Sequence, residues 1–147
     1  MKGPQRWRRL QKVAEIREKM ASLSFQGAAA REKEALGQWR EGEARAQQEE
    51  AGWKAGLREG MPGSHLEEAW RSTHAARRQA GALRQRYRER QTQRAEKEKE
   101  WRGARRVVRT YERLAERARE EARIRVLSEE QKALDEAAIL RWKGGDA

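Results

Sequence analysis

The sequence predicts an all-α protein, a long antiparallel two-helix coiled-coil hairpin with a longer C-terminal helix. Three observations support this fold class. Residues 64 to 143 contain no proline and form an unbroken run of strong helix formers. Apolar residues recur within that run at the 3.5-residue spacing of a coiled coil. A single cluster of helix-breaking residues, Gly60 to Ser64, divides the chain into two helical segments.

The composition argues against a thick hydrophobic core. The chain has 147 residues, of which 40% are charged and 36% are hydrophobic, and many of the hydrophobic residues are alanine. A compact domain of this length buries more large apolar side chains than this chain offers. The bias toward alanine, glutamate and arginine favours a long pair of charged helices over disorder.

The first helix is predicted from Pro4 to about residue 59. Proline is tolerated in the first turn of a helix, where its missing N–H would be unpaired anyway. Large apolar residues predict a buried stripe made of Trp7, Leu10, Val13, Ile16, Met20 and Leu23. The segment from Ser24 to Ala30 is expected to shift the phase of this stripe, which resumes as Leu36, Trp39, Ala46, Trp53 and Leu57.

Glycines make the first helix the weaker of the two. Each glycine inside a helix costs about 1 kcal/mol relative to alanine. The glycines in this segment are Gly27, Gly37, Gly42, Gly52 and Gly56. We expect tryptophan side chains of the hairpin to pack against some of them, because a glycine allows close approach.

The turn is predicted at residues 60 to 64. Gly60 suits a helix C-terminus, and Pro62 cannot continue the helix. Ser64 and Glu67 have the spacing of a capping box at the start of the second helix, which is predicted from about residue 65 to 143. A loop this short makes the two helices antiparallel, so that residue i faces roughly residue 124 minus i.

The second helix carries a coiled-coil seam, meaning the row of positions spaced alternately by three and four residues that faces the partner helix. About eleven of fourteen seam positions are apolar or aromatic. They are Ala76, Ala80, Leu83, Tyr87, Arg90, Arg94, Lys97, Trp101, Ala104, Val108, Tyr111, Ala115, Ala118 and Ala122. A lone helix cannot bury such a stripe, so the first helix is the expected partner.

The last twenty or so residues of the second helix are expected to extend past the first helix. Their apolar residues include Ile124, Leu127, Leu134, Leu140 and Trp142. A stripe that the hairpin does not cover predicts a contact with another protein or another copy of the chain. The alternative is a tail that bends back and packs on its own hairpin.

The net charge of +11 and the pI near 10.6 predict attraction to acidic surfaces. The basic cluster Arg84, Arg86, Arg88 and Arg90, with Arg94 and Lys97 on the seam, leaves two interpretations. One is a basic coiled-coil nucleic-acid-binding protein that contacts phosphates. The other, which we favour because no leucine repeat follows as in basic zippers, is a hydrated section of coiled coil near glutamates such as Glu32 and Glu34.

No enzymatic site is predicted. The chain has no cysteine, and its two histidines, His65 and His74, lack the further ligands of a metal set. No glycine-rich phosphate loop is present. We therefore expect no catalytic residues, no cofactor and no metal. No window approaches 18 consecutive apolar residues, so we expect no membrane insertion and a cytoplasmic protein.

The segment Tyr111-Glu112-Arg113-Leu114-Ala115-Glu116-Arg117 leads to Glu130-Gln131-Lys132-Ala133-Leu134-Asp135-Glu136-Ala137-Ala138. Together with the hairpin, the basic pI and the chain length, these residues resemble the FliJ/YscO family of type III secretion and flagellar export. The resemblance implies a non-enzymatic central stalk whose paired termini enter the ring of a hexameric export ATPase. It also implies contact with the export gate membrane protein, a position peripheral to the inner-membrane export apparatus, and secretion chaperones as further candidate partners.

Two sets of contact residues follow from this resemblance. The first set is expected at the ATPase ring and combines the uncovered stripe of the second helix with the basic first turn of the first helix. Its members are Trp7, Arg8, Arg9, Ile124, Leu127, Leu134, Leu140 and Trp142. The set expected at the export gate is Trp39, Trp53, Leu66 and Trp70. Packing within the seam is the alternative for the second set. A structural coiled coil that assembles with itself remains a third hypothesis for the whole chain.

Overall fold

The computed structural model describes residues 3–145, which form two α-helices. Helix α1 is Pro4–Glu59, with 56 residues, and helix α2 is Gly63–Gly145, with 83 residues. The two helices pack against each other in antiparallel orientation, and the described residues contain no strand. The predicted all-α hairpin with a longer C-terminal helix is confirmed.

Contacts along the hairpin fall into two compact units. The terminal unit combines the chain up to Met20 with the chain from Arg102 onward, and the turn unit is Ala21–Trp101. Both helices contribute to each unit, so that each is a short antiparallel helix pair of its own.

In the turn unit, α1 ends in a Schellman motif. Gly60 has a φ of +72°, a left-handed conformation that favours glycine. The amide of Met61 donates a hydrogen bond to the carbonyl of Gly56 at 3.0 Å, which satisfies one of the last carbonyls of the helix. The Met61 side chain covers Gly56, its sulfur lying 2.6 Å from the point that a Cβ on Gly56 would occupy. The helix end is thus closed by a polar and an apolar contact together.

The start of α2 differs from the prediction. The carbonyl of Pro62 accepts hydrogen bonds from the amides of His65 at 3.0 Å and Leu66 at 3.1 Å. The helix therefore begins at Gly63, and Ser64 already lies inside its first turn. The carboxylate of Glu67 pairs with Arg71 at 2.8 Å. The predicted capping box is wrong because Pro62, not Ser64, supplies the first carbonyl of the helix.

The seam predicted for α2 is confirmed. All fourteen predicted positions, from Ala76 to Ala122, are buried or half-buried. The same spacing continues toward the N-terminus through Thr73, Ala69 and Leu66, which are also buried or half-buried. The Thr73 hydroxyl lies within hydrogen-bond distance of the carbonyls of Ala69, at 2.8 Å, and of Glu49 on α1, at 3.1 Å.

The seam of α1 follows small residues and not the large aliphatic ones. Its buried and half-buried positions recur at three- and four-residue spacing over the whole helix: Pro4, Trp7, Gln11, Ala14, Glu18, Ala21, Phe25, Ala28, Glu32, Ala35, Trp39, Gly42, Ala46, Glu49, Trp53 and Gly56. From Ala14 to Gly42, every seventh residue is alanine or glycine. No phase shift occurs between Ser24 and Ala30, so that part of the prediction is wrong.

Several residues of the predicted α1 stripe face solvent. They are between 46% and 66% exposed, and they are Val13, Ile16, Met20, Leu23 and Leu57. Their placement on the buried face was wrong because the row of small residues faces α2 and the row of large aliphatic residues does not. Trp7, Trp39, Ala46 and Trp53, by contrast, lie on the seam as predicted, and Leu10 and Leu36 are half-buried.

The core of the hairpin is thin, as the composition predicts. Among the described residues no large side chain is fully buried. The buried hydrophobic residues are all alanines, namely Ala14, Ala28, Ala35, Ala46, Ala76, Ala80 and Ala115. Burial of these small side chains stabilises the pair weakly at each position, since the hydrophobic free energy scales with the buried area.

Aromatic pairs fill the seam between the alanines. In the turn unit, Phe25 stacks on Trp101 with ring centroids 5.3 Å apart, and Trp39 stacks on Tyr87 at 5.6 Å. In the terminal unit, Trp7 lies 6.3 Å from Tyr111. In each pair, the α2 ring lies within about six residues of position 124 minus i, the position predicted to face residue i of α1.

The expected packing of tryptophan on glycine is wrong. The glycines of α1 that carry a neighbouring side chain are Gly42, covered by Leu83, and Gly56, covered by Met61. Of the seam tryptophans, Trp7, Trp39 and Trp101 meet other aromatic rings instead.

Two arginines of α2 tie the helices of the turn unit together. Arg77 pairs with Glu43 and Glu50, each at 2.7 Å, and Arg94 pairs with Glu32 at 2.7 Å and with Glu98 at 2.8 Å. Hydrogen bonding to Arg77 holds the pKa of Glu50 below its ordinary value. The predicted proximity of Glu32 to the basic section of the seam is confirmed.

Replacing glycine by alanine at two positions should change stability in opposite directions. Gly60→Ala should lower the free energy of unfolding by about 1 kcal/mol, because alanine is strained in the left-handed conformation. Gly52→Ala should raise it by about 1 kcal/mol, because Gly52 is an exposed helical residue with open space at its Cβ position. Urea unfolding followed by circular dichroism measures both; a change of the same sign in the two variants would contradict the turn geometry.

The Arg77 pairing should make stability depend on acid pH through Glu50. Because the pKa of Glu50 is lowered in the folded state, its contribution is present above the ordinary value of 4.5 and is lost as the pH falls through the lowered pKa. Thermal unfolding between neutral and acid pH should therefore show a shallower loss of Tm below that value in Glu50→Gln than in the unmodified protein. Glu41→Gln is the control, since Glu41 is exposed and has no ion pair in the described part of the chain. Equal slopes for the Glu50 variant and the unmodified protein would contradict this role.

Candidate functional site

Within residues 3–145, no helix lies opposite the end of α2 in the terminal unit. We call residues 123–145 the C-terminal extension; every one of them is exposed. Helix α1 begins at Pro4, and its Trp7 already lies against Tyr111. Helix α2 continues without interruption to Gly145, so the alternative of a tail bent back onto the hairpin is wrong for the described residues. The predicted uncovered segment is confirmed.

Large apolar side chains of the extension are exposed to water. They are between 49% and 70% exposed, and they are Ile124, Val126, Leu127, Leu134, Ile139, Leu140 and Trp142. At about 100° per residue the apolar side chains spread over much of the helix circumference, with Ile124, Leu127, Leu134 and Trp142 on one side and Val126 and Leu140 on the other. A face this wide is broader than the seam of a two-helix coiled coil. It fits a concave protein surface or several surrounding elements.

The charges of the extension are nearly balanced. Five basic residues stand beside four acidic ones between Arg123 and Gly145. Arg123 forms a 2.6 Å ion pair with Glu120, which lowers the pKa of Glu120 through their hydrogen bond. Contacts of the extension therefore depend mainly on its apolar side chains.

The remaining residues expected at the ATPase ring lie in the basic first turns of α1. Arg8 and Arg9 are exposed, and neither has an ion pair within residues 3–145. Trp7 differs, because its half-buried ring packs on Tyr111 and the guanidinium of Arg6 lies 5.7 Å from the ring centre. The structure thus brings Arg8 and Arg9 to the surface of the terminal unit and places Trp7 in the seam.

The residues expected at the export gate lie in the turn unit, and three of the four lie on the seam. Trp39 stacks on Tyr87 and lies 5.9 Å from the guanidinium of Arg84, while Trp53 and Leu66 are half-buried. Trp70 is 50% exposed, and its ring stacks on His74 with centroids 5.1 Å apart. Of this set, Trp70 offers the most surface to a partner.

The basic cluster of α2 is partly engaged within the turn unit. Arg84 lies over Trp39, Arg90 donates to the Gln93 side chain at 3.0 Å, and Arg94 is held by two glutamates. A nucleic-acid site depends on arginines that can reach phosphates. These contacts favour the interpretation of a hydrated coiled-coil section.

One exposed apolar surface was not predicted. Val13, Ile16 and Met20 are 46%, 60% and 66% exposed, although the sequence predicted them on the buried face. The signal that could have revealed this is the row of small residues at seven-residue intervals: Ala14, Ala21, Ala28, Ala35 and Gly42.

Neither a metal site nor a membrane span is found in the part of the chain that the structure describes. No three histidine, aspartate or glutamate side chains in it come together as a possible metal site. Over the same residues, neither helix contains a stretch apolar and long enough to span a bilayer.

Comparison with known protein families gives a match over nearly the whole chain. The family model described as flagellar FliJ protein matches residues 4–146, nearly the whole chain. No curated protein and no solved structure matches the chain. The match includes α1, the turn, and the extension of α2.

The extension should be the least protected part of the terminal unit in hydrogen exchange. A helix segment without a partner is marginally stable in water, whereas residues 104 to 118 are held by the seam. Exchange followed by mass spectrometry should show amides of residues 126 to 143 exchanging at least about tenfold faster than those of residues 104 to 118. Equal protection of the two segments would mean that something covers the extension.

Proposed function

Because the chain belongs to the FliJ family, a non-catalytic component of flagellar export, we propose that it is the central stalk of the export apparatus. In this role its paired termini enter the ring of a hexameric export ATPase. The stalk couples the state of that ring to the export gate and catalyses no reaction itself.

The exposed C-terminal extension is the observation that carries this proposal. An exposed apolar surface of this size on a helix end is stable in water only at a cost, which a host surface removes by covering it. The extension presents exposed apolar side chains on more than one side of the helix, which supports insertion into a surrounding ring. Arg8 and Arg9, on the first turns of α1 in the same unit, add positive charge that suits an acidic ring lumen.

Coupling needs contacts that differ between states of the ring. A ligand shifts a conformational equilibrium only by its difference in affinity for the two states. The extension has many apolar side chains and few internal restraints, so neighbouring ATPase subunits in different states would contact different sides of it. The stalk would then bias the ring through binding alone.

Trp70 is the residue of the turn unit that we assign to contact with the export gate. Its exposed ring, stacked on His74, is a rigid aromatic surface of the kind that anchors protein interfaces. Trp39, Trp53 and Leu66 would support this contact from the seam. Secretion chaperones remain further candidate partners.

Stimulation of the cognate export ATPase tests the proposal. The unmodified protein should raise the turnover or the oligomerisation of the ATPase at stoichiometric concentration. Leu134→Ser combined with Leu140→Ser should weaken the interaction about 100-fold, since burying each leucine is worth about 1.5 kcal/mol or more. Because neither side chain packs within the hairpin, the Tm of this variant should be unchanged.

The control is Leu57→Ser, which removes an exposed leucine from α1 in the turn unit. It should stimulate the ATPase as the unmodified protein does. An absence of stimulation at stoichiometric excess, or equal stimulation by the extension variant, would overturn the proposal.

A further inference from the structure

A second row of apolar residues runs along the outside of α1 in the terminal unit. Val13, Ile16 and Met20 are 46%, 60% and 66% exposed. They are spaced by three and four residues, as in a coiled-coil seam, but lie away from the seam residues Ala14 and Glu18 that face α2. We call these three residues the outer stripe. It has the residue types and spacing of a helix-pairing surface.

Cationic side chains flank the outer stripe on both sides. On the helix circumference Lys12 and Lys19 lie on one side and Arg17 lies on the other. All three are exposed, and none has an ion pair among the residues that the structure describes. In coiled coils the residues that flank the seam select the partner through their charge. Here both flanks select an acidic partner.

An apolar groove continues from the stripe onto α2 in the same unit. Its lining includes Leu10, Val13 and Arg17 from α1, with Val107 and Tyr111 from α2. Val107 is 47% exposed at the edge of this groove. A helix lying along the outer stripe would therefore bury side chains of both α1 and α2.

We propose that the outer stripe docks an acidic amphipathic helix of a partner protein, with leucine-like residues on its seam and glutamates on its flanks. The seam residues of such a helix would cover Val13, Ile16 and Met20, and its glutamates would pair with Lys12, Lys19 and Arg17. This site is separate from the C-terminal extension and does not depend on the proposed stalk function.

Charge and shape favour this occupant over the others that an apolar stripe allows. A second copy of the chain that docked through the same stripe would set Lys12, Lys19 and Arg17 against their own counterparts, and like charges repel across an interface. A helix that lies on a membrane presents a wide apolar face, often with aromatic residues. The outer stripe is three residues in a narrow row, and the nearby Trp7 packs inward on Tyr111.

A designed peptide of about 28 residues, with leucine at the a and d positions of its heptads and glutamate at e and g, tests the proposal. Its own glutamates oppose self-association, and it is used at a concentration at which sedimentation shows the peptide to be monomeric. Fluorescence anisotropy of the labelled peptide should show binding to the full chain. Val13→Ser, Ile16→Ser and Met20→Ser together should weaken that binding at least about tenfold. Leu134→Ser with Leu140→Ser, the control on the extension, should leave it unchanged.

Two matched peptides separate the contribution of charge to binding from that of apolar contact. A peptide with lysine in place of glutamate should bind at least about tenfold more weakly, because its charges repel both flanks. A peptide with serine in place of leucine should also bind weakly if the stripe contributes through apolar contact. The proposal would be overturned if either matched peptide bound as tightly as the leucine–glutamate peptide. It would also be overturned if the triple variant bound the leucine–glutamate peptide as tightly as the unmodified protein does.

Two further measurements test the other occupants. Flotation with vesicles of phosphatidylcholine and phosphatidylglycerol, and sedimentation of the chain alone, should give the same result for the unmodified protein and the triple variant. A loss of vesicle binding in the variant would assign the stripe to anionic lipid. A loss of self-association would assign it to a second copy. Either loss would overturn the proposal, while the ATPase assay of the extension would remain a separate test.

Discussion

Close packing of α1 against α2 depends on the small residues that occupy every second seam position of α1. Alanine and glycine from Ala14 to Gly42 keep the distance between the helices short, and the buried hydrophobic residues of the described chain are all alanines. Each contact is weak, since the hydrophobic free energy scales with buried area. The hairpin is therefore stabilised by the length of its seam and not by a deep core.

The aromatic residues fit into this seam at regular intervals. Within the turn unit, Phe25 and Trp39 of α1 are two heptads apart, and their partners Trp101 and Tyr87 are two heptads apart on α2. Large rings thus alternate with small residues along the interface. At Arg94, where an ionic group occupies the seam, Glu32 of the other helix pairs with it. The same spacing thus accommodates alanine, stacked rings and ion pairs.

Much of the fold could be predicted from the sequence, because the signals in α2 and in the turn are local and agree with one another. The seam of α2 carries most of its apolar residues at one spacing, and Gly60 with Pro62 marks the single break. The seam of α1 could not be found by following the largest hydrophobic residues, because Val13, Ile16 and Met20 lie on the other side of the helix. The capping pattern at Ser64 was misleading for a different reason: Pro62 had already supplied the first carbonyl.

The candidate site, too, could be predicted from the sequence only in part. The exposed extension follows from the unequal lengths of the two helices, which the position of the turn determines. Which tryptophans are exposed does not follow from length, because Trp39 and Trp53 occupy seam positions while Trp70 lies one residue beyond Ala69 and away from the seam. Because the extension contributes no packing to the hairpin, folding hardly constrains which side chains it carries. Recognition at that end can therefore diverge through evolution while the helix pair itself stays unchanged.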